Sequence, residues 1–136
     1  MAKSKLHARF KTVETKEEEG VWAEFGDGIA VRIRRFKSRA VQDYQKKLNR
    51  PYADMVRRGP LPQHIAEDLM EKLIAHAVIA DWRGVTDEEG ENELPPTDEN
   101  KLKIIKELPE FRDEILSVSF ERDGFRDALD EEAEKN

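Results

Sequence analysis

The chain is 136 residues long, with 38% hydrophobic and 40% charged side chains and a formal net charge of -6, enough for one domain with a modest core and a heavily solvated surface. It contains no cysteine, which excludes disulfides, thiolate metal sites and cysteine nucleophiles together. No stretch reaches the length of a membrane span, and the first twenty residues lack the apolar run of a signal peptide, so neither membrane insertion nor secretion is expected.

The net charge hides an asymmetry. Residues 1–60 hold 15 Lys and Arg against 8 Asp and Glu, giving +7, while residues 61–136 hold 9 against 22, giving -13. Each half attracts an oppositely charged surface, another copy of the chain included.

Residues 1–20 have no clean period and end in KEEEG, which reads as a flexible basic arm or a weak strand. Residues 21–36, VWAEFGDGIAVRIRRF, alternate on both sides of Gly26-Asp27-Gly28. Glycines supply the positive φ of a tight turn, and the β-branched and aromatic flanks suit strands, so a β-hairpin is expected. Ile29, Val31 and Ile33 face one side of it and Arg32 and Arg34 the other.

From Ser38 the spacing changes to that of a helix through Val41, Tyr44 and Leu48, with Ser38 as N-cap and Pro51 as its end. RRGPLP, residues 57–62, interrupts the chain. QHIAEDLMEKLIAHAVIADW, residues 63–82, carries a wide apolar stripe through Ile65, Leu69, Leu73 and Ala77, the pattern of a helix packed on more than one side. Pro95 and Pro96 then enforce extension, and Thr97 or Asp98 caps a short helix buried through Leu102, Ile105 and Leu108. After Pro109 a last helix carries Phe111, Ile115, Val118, Phe125 and Leu129 at steps of three, four or seven, an apolar seam wider than a small core needs and a candidate partner-binding face. The resulting expectation is an α+β fold, mostly α-helical, in which an N-terminal β-hairpin packs against four helices. Residues 21–130 form the single domain and 131–136 a frayed acidic tail.

Chemistry-bearing patterns are few. His7, His64 and His76 are too far apart in sequence for a helical metal pair. DEEGENE, residues 87–93, clusters carboxylates around a glycine but lacks calcium-loop ligand spacing, so a solvated turn is preferred. Ser117 and Ser119 sit in a helical pattern without a nucleophile elbow. No catalytic residue, metal or cofactor is therefore assigned, and no enzyme activity is expected. The stretch RIRRFKSR, residues 32–39, sets Arg32, Arg34 and Arg35 beside Phe36. Such residues contact phosphates and bases, yet an acidic chain disfavours nucleic acid, and a solvated strand face or an acidic protein partner is the better reading.

One pattern is longer. W-x-G-V-T-D-E-x-G, then L-P-x-T-x-E-N, then P-x-F-x-x-x-I run from Trp82 to Ile115, anchored by Trp82, Gly84, Gly90 and Asn100. This pattern resembles the tail assembly chaperones of long-tailed bacteriophages, with the likeness covering residues 21 to about 120. The resemblance implies a non-enzymatic protein of the host cytoplasm, missing from the mature virion, that coats the tape measure protein and recruits tail tube subunits. It leaves the basic N-terminal residues unexplained. A structural tail or neck component built from paired copies, and a nucleic-acid-binding regulator, are the alternatives. With or without the family, the 81–100 segment reads as a connector in which Trp82 covers the core and Gly84 and Gly90 let the chain reverse.

Overall fold

Strands β1 (Val21–Gly26) and β2 (Ile29–Ile33) pair antiparallel, with Val21 opposite Ile33 and Ala23 opposite Val31. Gly26, Asp27 and Gly28 all hold positive φ in the turn between them, and the register shifts by a bulge between Glu24 and Gly26. This is the hairpin read from the sequence. Val21, Ala23, Val31 and Ile33 are buried on its inner face, while Trp22 and Arg32 share the outer one. The computed structural model describes residues 4–120, and they form an α+β fold.

The hairpin has a third strand that periodicity does not reveal. Residues 63–82 are not one helix: α4 (Gln63–Leu73) passes into a π turn (Ile74–Val78), and β3 (Ile79–Arg83) then pairs antiparallel with β2 to complete the sheet order β1-β2-β3. A short run such as AVIAD fits helix and strand equally by spacing. Tertiary partners decide between them. A helix ending here exposes carbonyls that need donors, and neighbouring cations supply them. The Arg34 guanidinium donates to the Ala77 carbonyl at 2.9 Å and its backbone N–H to Val78 at 2.8 Å, while Lys101 Nζ donates to Ile79 at 3.1 Å. Positive charge at a helix C-terminus also complements its dipole.

The N-terminal residues differ from the expected arm or strand as well. They form α1 (Lys5–Glu19), which Ser4 caps by accepting from the His7 N–H. Its apolar stripe is weak, which is why spacing misses it. Good helix formers and the cap favour it, and its C-terminal end is fastened elsewhere. The Glu18 carboxylate accepts from the backbone N–H groups of Arg39 and Ala40, and Glu17 pairs with Arg35 at 2.5 Å.

Ser38 caps α2 (Arg39–Asn49), a 3-10 turn (Arg50–Tyr52) leads into α3 (Ala53–Arg58), and Thr97 caps α5 (Asp98–Glu107) before α6 (Pro109–Phe120). Of these helices, α2 and α5 start at the expected caps, and α3 is one that the spacing does not reveal. The core lies between the inner face of the sheet and the helices, with Val41, Leu73, Ile74, Ile104, Ile105 and Ile115 closing on Val31 and Ile33. No helix among the described residues is long and apolar enough to cross a membrane.

Candidate partner-binding surface

The connector after β3 is an ordered element. Trp82 lies on β3 opposite Val31 and is 4% exposed, so it enters the core from a strand and does not fold back from a helix end. Its indole N–H donates to the Leu94 carbonyl at 2.8 Å, which draws the far end of the connector against the sheet. Gly84 turns the chain with φ +76, and a Cβ there would overlap the Gly28 carbonyl. Asp87 closes the acidic tip: its carboxylate accepts from the Glu91 N–H at 3.0 Å and Asn92 Nδ2 at 2.9 Å. The Asn92 bond, foremost, holds the Asp87 carboxyl below its ordinary pKa. Gly90 sits in this tip, and Asn100 Nδ2 donates to the Pro95 carbonyl at 2.9 Å, fixing the entry to α5. The four motif residues thus shape one connector. A recess of about 190 Å³ lies beside it, bounded by Asp87, Glu88, Glu89, Leu94, Lys103, Ile104 and Glu107, smaller than common small-molecule sites.

The arginines chosen as a binding strip are largely used inside the fold. Arg34 bridges the Glu18 and Ala77 carbonyls, and its own carbonyl accepts from Ser119 Oγ at 2.8 Å, so one residue ties α1, the π turn and α6 together. Burial lowers its pKa, Arg32 lowers it further and Glu18 opposes them. Arg35 is committed to Glu17. Arg32 lies 6.0 Å from the Trp22 ring and Arg83 4.6 Å from it, a stacked cluster on the outer sheet face. A sequence strip of basic residues is therefore divided in space, because alternate strand positions and the turn after β2 point them to different neighbours.

The α6 seam divides too. Ile115 is fully buried and Ser119 with it, while Phe111 packs edge-on against Phe25 with ring centres 5.4 Å apart, and Val118 is half-buried against the core. These residues seal the domain, and Ile115 is unavailable to a partner. Phe125 and Leu129, like the acidic tail 131–136, lie outside the described residues.

Exposed apolar residues occur at places that the spacing did not single out. Met55 and Val56 on α3 are 42% and 52% exposed, Leu108 between α5 and α6 is 49%, and Phe120 is 50% although stacked on Phe36 with centres 4.1 Å apart. Leu108 had been expected in the core; Lys101 takes the buried place on α5, with Nζ 3.6 Å from Asp98. Burial lowers the Lys101 pKa against the opposing effect of Asp98. The available clue to Met55 and Val56 is length: a six-residue helix between Pro51 and Gly59 is too short to bury a face.

The family model described as YdaY prophage protein matches residues 36–136, a span that takes in α2 to α6, the connector and most exposed apolar positions. No curated protein and no solved structure matches the chain.

Proposed function

The chain belongs to the YdaY prophage protein family, and from that premise we propose that it acts as a tail assembly chaperone, holding the tape measure protein while tail tube subunits are brought to it. The observation that carries this reading is the exposure of Met55, Val56, Leu108 and Phe120 around an otherwise closed core. Such residues lend apolar surface to a hydrophobic helical client, and the charged side chains around them keep the surface hydrated. The motif from Trp82 to Ile115 supports the same reading, since its residues build the connector that leads into α5, and exposed Leu108 follows that helix.

Co-expression provides the test. The tape measure protein made alone is expected in the pellet, and made with this chain it is expected in the soluble fraction as a complex detected by light scattering. A tape measure protein that stays insoluble, with no complex formed, rejects the proposal. Mass spectrometry of purified particles separates a chaperone, which is lost on completion, from a structural tail or neck component, which is retained in fixed copy number.

A further inference from the structure

The charge asymmetry of the chain becomes two distinct surfaces in the fold. From Lys37 to Arg58 seven exposed Lys and Arg accompany two exposed Asp, and from 86 to 114 ten exposed Asp and Glu accompany two exposed Lys. The first surface belongs to α2 and α3, the second to the connector, α5 and the start of α6. Among the described residues no ion pair joins them: Arg57 pairs with Asp54 inside α3, and Lys101 with Asp98 inside α5.

Each surface also carries an apolar spot within its charges. Met55 and Val56 adjoin Arg57 and Arg58, and Leu108 lies between Glu107 and Glu110. An apolar centre with a charged rim is the usual anatomy of a protein contact, and opposite rims set partner and orientation. We propose that this chain assembles head to tail with further copies of itself, the basic α3 surface of one copy seating on the acidic Leu108 surface of the next. In this head-to-tail arrangement the contact is heterologous, and each copy added to the open chain leaves one free surface of each kind. Assembly therefore continues past the dimer. The contact shares Met55, Val56 and Leu108 with the client surface proposed above, but its test needs this chain alone, so the two fail separately.

Charge reversal tests it with two variants: Arg57→Glu with Arg58→Glu, and Glu110→Lys with Glu114→Lys. Sedimentation velocity at low salt is expected to find the wild-type chain growing beyond dimers with concentration and shrinking as salt screens the rims. Each variant alone is expected to stay monomeric. Their equimolar mixture sets the intact basic surface against the intact acidic one and the two reversed surfaces against each other, both pairs of opposite charge, so association is expected to return. A wild-type chain that is monomeric at every concentration overturns the proposal, as does a mixture that stays monomeric. Variants that associate like the wild type overturn it too, since the contact then lies elsewhere. Far-ultraviolet circular dichroism checks folding, and Met55→Asp, in a helix with no buried residue, gives a second break of the basic surface.

Discussion

The π turn with β3 and the 3-10 turn with α3 are neighbouring stretches of similar length with opposite fates. Ile74, Ala75, Ala77, Val78, Ile79 and Trp82 are all buried, whereas Arg50–Arg58 bury nothing. Both stretches contain apolar residues, so composition alone does not separate them. The difference lies in what meets them: β2, α5 and α6 pack around the first, and the second touches little beyond its own neighbours in sequence. Burial is concentrated in one stretch, and the other keeps its apolar side chains at the surface.

The sharpest way to break that contrast is to remove Trp82. Trp82→Ala deletes a buried indole and leaves the Leu94 carbonyl without its donor, for an expected loss of about 3–5 kcal/mol in urea unfolding. A loss below about 1 kcal/mol means that the connector is not held through this residue. Gly84→Ala comes next, at about 2–3 kcal/mol, because the added methyl meets both an unfavourable positive φ and the Gly28 carbonyl. Gly90→Ala has the same backbone strain, φ +74, but nothing within reach of the new Cβ, and its expected cost is about 1 kcal/mol. Equal costs at the two glycines contradict the close approach of the connector to the hairpin.

These residues also mark how far the sequence could be read. The hairpin is legible from Gly26-Asp27-Gly28 and its alternation, and the starts of α2 and α5 from Ser38 and Thr97, because each depends on chemistry within a few residues. β3 is not, since the spacing of 74–82 suits a helix until Arg34 and Lys101 arrive to donate to its carbonyls. Arg34 lies 43 residues from Ala77, a separation that no local pattern spans. Burial along α5 and α6 escapes the sequence for the same reason. Ile115 repeats at helical spacing as a partner residue does, yet the fold turns it into the core; Leu108 has the spacing of a core residue and is turned outward.

A smaller effect separates the helices that frame the core by their charges. Asp68 on α4 accepts from Lys72 within its helix and from Lys106 on α5. The Lys72 hydrogen bond lowers its carboxyl pKa most, burial opposes, and Lys106 lowers it further. A carboxyl with a folded pKa below its unfolded value, about 3.9, adds stability that is complete above that value and is lost as pH falls through the folded one. Asp68→Asn is expected to flatten this part of the acid limb and to cost less than about 1 kcal/mol at neutral pH, because the pair is open to solvent. Urea midpoints measured from neutral to acidic pH, with wild type and variant in parallel, read the difference. An unchanged acid limb means that the α4–α5 pair forms too loosely to matter.

The smallest change in stability is expected where the contrast began. Met55→Ser combined with Val56→Ser replaces two side chains that are about half exposed on a helix with no buried residue, so unfolding is expected to move by less than about 0.5 kcal/mol. Association is where the substitution acts. The basic rim of Arg57 and Arg58 is retained, so charge still steers copies together while the apolar centre no longer holds them. Sedimentation is then expected to find complexes that form at low salt but dissociate at physiological salt, where the wild-type complexes persist. A large loss of stability instead places Met55 and Val56 inside the fold, and the two stretches cease to differ in the way that the structure describes.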